Sequence, residues 1–128
     1  MARITFSSAE APKAVGPYSQ AVASGDHVFL SGQTPIDPAT GALIEGSLAE
    51  QTQRCFHNLG AVLDAAGLNF GDVVKVNVYL TSMSDFGEMN DVYARQFEEP
   101  FPARTTVAVA ALPLGARVEI ELVARRSA

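Results

Sequence analysis

Apolar and polar residues alternate most sharply between Val73 and Leu80, where Val74, Val76, Val78 and Leu80 are separated by Lys75, Asn77 and Tyr79. A period of two puts the two sets on opposite faces of a β-strand. Before it the period changes. Leu48, Cys55, Phe56, Leu59, Val62, Leu63 and Ala66 recur at helical spacing, which predicts an amphipathic helix covering a sheet. Ser47 and Glu50 have capping-box spacing at its start, and Gly67 supplies a left-handed stop. A second helix is predicted from about Ser84 to Phe97, with Phe86, Met89, Val92 or Tyr93, and Phe97 as its apolar stripe. Pro100 and Pro102 end it.

The flanking segments read as strands. Arg3–Ser7 predicts a short edge strand. Gln20–Ala23 and His27–Ser31 predict a hairpin around Gly25-Asp26. Residues 35–46 form a long connection, with turn chemistry in Asp37-Pro38-Ala39-Thr40-Gly41 and a brief extended piece at Ala42-Leu43-Ile44. Arg104–Ala110 and Arg117–Ala124 predict two further strands flanking a turn at residues 112–116. On the first, Arg104, Thr106 and Ala108 share a face; on the second, Glu119 and Glu121 oppose Val118, Ile120 and Leu122. This order predicts one α+β domain spanning 1–128, a mixed sheet with two helices on one face. The other sheet face is expected to carry Tyr79, Phe29, Val123 and Ala108 beside Arg104 and Glu119. Such a face is too apolar to leave wet and too polar for a dry core, which suits a subunit interface.

Composition narrows the functional classes. Nine Lys and Arg against fourteen Asp and Glu give a net charge of −5, and no basic cluster lies outside Arg125-Arg126. A phosphate backbone requires a dense basic face, so the balance argues against nucleic acid and for small ligands. The single cysteine, Cys55, excludes an intrachain disulfide and fits a reducing cytoplasm. The N-terminal residues hold no long apolar segment of the kind a signal peptide needs, and Val107–Leu112 is too short to span a bilayer. Cytoplasmic location is the expectation.

Glycine-rich phosphate loops and nucleophile elbows are absent, and His27 and His57 have no ligand partners at metal-binding spacing. His27 reads as a strand-surface or interface residue and His57 as the solvent flank of the first helix. Cys55 lies in that helix's apolar stripe and reads as a core residue, not a nucleophile. Arg104 opens a strand directly after Phe101-Pro102-Ala103. Its guanidinium suits a bidentate grip on a carboxylate; the alternative is a salt bridge to Glu119 or Glu121 on the adjacent strand. Glu119 suits a water-positioning or proton-moving role, with ion pairing as its alternative. Ser31 with Gly32, Asn90 and Tyr18 are candidate ligand contacts; each also has a plain structural reading.

Four segments together resemble a known family. Ala11-Pro-Lys-Ala-Val-Gly-Pro-Tyr-Ser-Gln20, Leu30-Ser-Gly-Gln-Thr-Pro-Ile36, Phe101-Pro-Ala-Arg-Thr-Thr-Val107 and Val118-Glu-Ile-Glu121 are similar, in order and spacing, to the motifs of the RidA (YjgF/UK114) family of reactive-intermediate deaminases. The resemblance covers nearly the whole chain. It implies a chorismate-mutase-like fold and a homotrimer whose sheets form a central barrel, with clefts between subunits. It implies hydrolysis of 2-aminoacrylate, its 2-iminopropanoate tautomer and 2-iminobutanoate to 2-oxo acids and ammonia. Such intermediates are released by pyridoxal-phosphate-dependent dehydratases; the deaminase itself uses no cofactor and no metal.

Carried over by motif, the carboxylate clamp falls on Arg104 and the water-handling acid on Glu119. Tyr18, Ser31, Gly32, Asn90 and Thr106 fall on substrate-binding positions. Many members have cysteine where this chain has Thr106, which leaves the preferred imine open; Thr105 also departs from the small residues common there. Two other functions compete with deamination: a regulatory trimer that binds small 2-oxo acids without turnover, and an endoribonuclease or RNA-binding role, against which the charge argues.

Overall fold

A computed structural model describes residues 2–126. Six strands form one mixed sheet, in sequence order β1 (Ile4–Phe6), β2 (Ala21–Ser24), β3 (His27–Gln33), β4 (Val73–Leu80), β5 (Ala103–Ala108) and β6 (Val118–Arg125). Across the sheet they lie in the order β1-β2-β3-β6-β4-β5. Helix α1 (Leu48–Ala65) connects β3 to β4, and α2 (Phe86–Gln96) connects β4 to β5. The predicted hairpin is β2-β3, with Ser24 opposite His27 and Gly25 at φ +58°. Most elements thus fall where the sequence pattern put them, and both helices pack on one face of the sheet.

Local chemistry accounts for the helix ends. The Ser47 side chain accepts from the Glu50 amide at 3.1 Å, and Glu50 Oε1 accepts from the Ser47 amide at 3.0 Å. This reciprocal bond lowers the Glu50 pKa from its ordinary value. Glu88 of α2 also accepts from the Ala49 amide at 2.7 Å, tying the two helices at the start of α1. Gly67, at φ +76°, reverses the chain after α1. The second helix is shorter than predicted: a 3-10 turn at Met83–Asp85 precedes it, and Phe97 closes it three residues before Pro100.

The core lies between the helices and the sheet. From α1 come Leu48, Cys55, Phe56, Leu59, Val62 and Leu63; from α2, Met89, Val92 and Tyr93; from the sheet, Val28, Leu30, Val76, Val78, Leu80, Val118, Ile120 and Leu122. Two buried polar residues of α1 escape the hydrophobic pattern. Thr52 Oγ1 donates back to Leu48, and Asn58 Nδ2 donates to the carbonyls of Thr34 and Ile36, pinning the start of the 35–46 connection.

The structure corrects two details of the strand reading. Val74 does not join Val76, Val78 and Leu80 on the buried face. Val73 pairs with Ala124 while Lys75 pairs with Val123, so Val74 is the extra residue of a bulge and stands exposed, with Val73 buried in its place. Second, β5 and β6 are not neighbours. β5 runs parallel to β4 at the sheet edge, and β4 separates it from β6. Arg104 pairs with Val76, Thr106 with Val78 and Ala108 with Leu80, so these β5 residues point to the helix face. The expectation that Arg104 and Ala108 share the open face with Glu119 is therefore wrong. The open face carries Phe29, Lys75, Asn77, Tyr79, Thr105, Val107, Glu119, Glu121 and Val123. On it Lys75 Nζ donates to Thr105 Oγ1 at 2.7 Å.

Candidate active site

Apart from Tyr18, which lies in the loop before β2, the predicted site residues fall into two groups on opposite faces of the sheet. The first is at the β5 edge, under α2. Arg104 Nη1 donates to Asn90 Oδ1 at 2.6 Å. Its Cζ lies 4.5 Å from the centre of the Tyr93 ring and 5.4 Å from that of Phe86. Among the described residues Arg104 makes no ion pair, so the expected alternative bridge to Glu119 or Glu121 does not form; the intervening strand and the opposite facing prevent it. A groove of about 410 Å³ opens beside it, lined by Asn90, Tyr93, Ala94, Phe101, Pro102 and Arg104. Thr106 follows on the same face. Its Oγ1 and the Tyr93 hydroxyl are buried without a hydrogen-bond partner among the described residues. Burial raises the Tyr93 phenol above its ordinary value, while the Arg104 charge pulls the other way.

The second group surrounds Glu119 on the open face. The ladder between β3 and β6 is irregular between Leu30 and Gln33. There Gly32 lets the backbone approach Glu119 so closely that an added Cβ would come 2.9 Å from its Cδ. Ser31 Oγ donates to the Ser19 carbonyl at 2.6 Å, and the Ser31 amide donates to Gln20, which ties the Tyr18 segment to β3. Gln20 itself is buried and bonds Ser8 and Pro12, holding the loop before Tyr18. Tyr18 is exposed and lines a separate hollow of about 610 Å³ with Lys13 and Gln20. Half-burial, then the charge of Glu121, raise the pKa of Glu119 above the ordinary carboxylate value. The nearby Glu121 carboxylate, followed by burial, pushes the Tyr79 phenol up to about 12.

The remaining candidates take structural places. Cys55 is fully buried, its Sγ 4.0 Å from the Val118 carbonyl, and burial followed by the Glu119 charge pushes its thiol far up. His57 is exposed on α1 and His27 at the start of β3. Among the described residues no group of His, Cys, Asp and Glu could hold a metal ion. Phe86 and Tyr93 were visible in the sequence only as members of an apolar stripe. Their spacing from Asn90 puts all three on one side of α2, but only the strand order reveals that Arg104 lies beneath them.

A mixed sheet with both helices on one face, an arginine without an ion-pair partner among the described residues at its edge and a half-buried carboxylate of raised pKa on its open face define a small α+β protein. Comparison with known proteins gives the particular family. The family model described as Endoribonuclease L-PSP matches residues 8–126. A Bos taurus protein named 2-iminobutanoate/2-iminopropanoate deaminase is 48% identical over 124 residues, spanning 97% of this chain and 90% of that protein. The crystal structure of a putative endoribonuclease from Thermotoga maritima superposes with a TM-score of 0.94 at 49% identity, covering 98% of each chain. That of E. coli TdcF with bound serine gives 0.91 at 39% identity, covering 97% of this chain and 99% of that one. The chain belongs to the RidA/YjgF/UK114 family and is closely related to its 2-iminobutanoate/2-iminopropanoate deaminases.

Proposed function

We propose that this protein is a deaminase that hydrolyses 2-iminopropanoate, 2-iminobutanoate and their enamine tautomers to 2-oxo acids and ammonia. The observation that carries the reading is the half-buried Arg104, held by an amide and two rings and, among the described residues, in no ion pair. A cation left unpaired in this way is matched to an incoming carboxylate. The kinship with proteins named 2-iminobutanoate/2-iminopropanoate deaminases supplies the reacting group. The serine in the related TdcF structure shows that a relative's chain can be crystallised with a small amino acid.

The active assembly is a homotrimer in which the open sheet faces line a central barrel. One subunit's Arg104, Asn90 and Thr106 then complete a cleft with a neighbour's Tyr18, Ser31, Gly32 and Glu119. Three features support this: Arg104 and Glu119 point to opposite faces of one chain's sheet, the open face exposes Phe29 and Val107, and these sit among polar groups. Arg104 fixes the substrate carboxylate. Glu119, whose pKa burial and the Glu121 charge raise above the ordinary carboxylate value, aligns water against the C=N carbon and takes up its proton as oxygen bonds to carbon. Glu119 passes that proton to the nitrogen, giving the neutral carbinolamine. It then takes the carbinolamine's hydroxyl proton and hands it to the same nitrogen, so that the C–N bond breaks, the C=O bond forms and ammonia leaves. Thr106 and the Ser31-Gly32 backbone stabilise the changing charge. No cofactor is needed for these steps.

A free, buried Cys55 suits a reducing compartment, and we place the protein in the cytoplasm; among the described residues no helix is long and apolar enough to cross a membrane. The ribonuclease activity named in the family description finds little support in a chain of net charge −5 whose open face carries Glu119 and Glu121. The test is pyruvate formation from 2-aminoacrylate generated in place by a serine dehydratase. Acceleration by the purified protein is the expected result; binding of 2-oxo acids without acceleration would favour the regulatory reading.

A further inference from the structure

Helix α2 places Phe86, Asn90 and Tyr93 at i, i+4 and i+7, along one side. The Arg104 side chain rises from β5 into that side. Asn90 takes one of its five N–H donors, and the two rings approach its Cζ at 4.5 and 5.4 Å. A half-buried arginine is usually restrained by a carboxylate, which would compete with an anionic ligand. Here all three restraints are neutral, so the side chain is held while its charge stays unspent. Tyr93 is itself fixed. It is 5% exposed, and its ring packs against Phe97 at 4.8 Å and Phe56 at 6.1 Å. Among the described residues its hydroxyl has no hydrogen-bond partner. What Tyr93 offers Arg104 is therefore the ring face and not the phenol.

We propose that Tyr93, with Phe86, is a positioning residue: the aromatic pair fixes the plane of the Arg104 guanidinium, Asn90 fixes its rotation, and the remaining N–H groups stand ready for the substrate carboxylate. This rests on the reading of Arg104 as the carboxylate clamp. An arginine free to swing would have to lose that freedom at each binding event; one already stacked does not.

The experiment is an NMR titration of pyruvate and of pyruvamide, which lacks the carboxylate, into the assembled wild type, Y93F, Y93L and F86L, with deaminase rates measured on the same samples. The wild type should bind pyruvate more tightly than pyruvamide, and Y93F should match it. Y93L and F86L should weaken pyruvate by roughly 5- to 30-fold, the range a desolvated cation–π contact supports, and pyruvamide by less than about two-fold. F86L alters a partly buried side chain and carries the test if Y93L does not assemble. Equal weakening of both ligands, or none of pyruvate, overturns the proposal while leaving the clamp intact. A wild type that does not prefer pyruvate removes the clamp and the proposal together, and the measured rates show separately whether the protein is still a deaminase.

Discussion

Arg104→Ala is the perturbation with the largest expected consequence. In the folded chain the side chain makes one hydrogen bond, to the half-buried Asn90, and two cation–π contacts. The hydrogen bond contributes about 0.5–1.5 kcal/mol net and each partly buried stack about 0.5–1 kcal/mol, so stability falls by roughly 1.5–3.5 kcal/mol. That is a fraction of the roughly 5–15 kcal/mol of a typical domain, and the variant should still fold. The effect on turnover is larger. Deleting one member of a desolvated charge pair commonly costs about 2–5 kcal/mol, which corresponds to roughly a 30- to 5,000-fold loss in kcat/KM. R104K keeps the charge but loses the planar fork and its stacking, so its rate should lie between R104A and wild type. The assay follows semicarbazone formation in competition with enzymatic hydrolysis of 2-aminoacrylate, at matched concentrations of assembled protein. A correctly assembled R104A that hydrolyses as fast as wild type would show that Arg104 only braces α2 against β5, and the proposed mechanism would be wrong.

Three further outcomes follow from the same geometry. C55A should keep most of its deaminase rate and lose about 1–2 kcal/mol of stability to a small cavity, measured by denaturant unfolding; an inactive but folded C55A would contradict its place in the core. E119Q should be slower yet more stable near neutral pH. The folded state holds the Glu119 proton more tightly than the unfolded chain does, so this contribution to stability is complete below the ordinary glutamate range of about 4.3 and is lost as pH rises past the raised folded value. The melting-temperature gap between E119Q and wild type should therefore close on acidification; a gap that widens instead reverses the sign assigned to burial. Light scattering should give three times the 13.5 kDa chain mass, and a monomer at micromolar concentration would dissolve the proposed shared cleft.

Local pattern made most elements legible, because capping, helical periodicity and strand alternation are written in neighbouring residues. Ser47, Glu50 and Gly67 bounded α1 for physical reasons that the structure repeats. Val74 was misplaced because a bulge shifts facing without leaving an apolar or polar mark. Arg104 was put on the wrong face because alternation gives two faces but not which one meets the helices. That depends on β5 pairing in parallel with β4, a contact between residues about thirty positions apart. The same ignorance of strand order hid Tyr93 and Phe86, whose apolar spacing on α2 carries no sign of the cation beneath them. Asn58 was missed because a buried amide that holds a distant loop looks, in sequence, like any polar interruption of an apolar stripe.

Arg104 and Glu119 stand on strands separated by β4 and point to opposite sides of the same sheet. A cleft that needs both must borrow one from another chain, and this has a consequence for inheritance. In the proposed trimer, a population carrying only R104A chains has no intact cleft, and neither does one carrying only E119Q chains. Mixed in one assembly they restore one, wherever the E119Q chain lends its arginine to the R104A chain's glutamate. Two defective alleles then complement each other inside a single protein, whereas the double substitution placed in one chain spoils both clefts that the chain touches. On the proposed shared cleft, the division of the site between two sheet faces makes function a property of allele pairs.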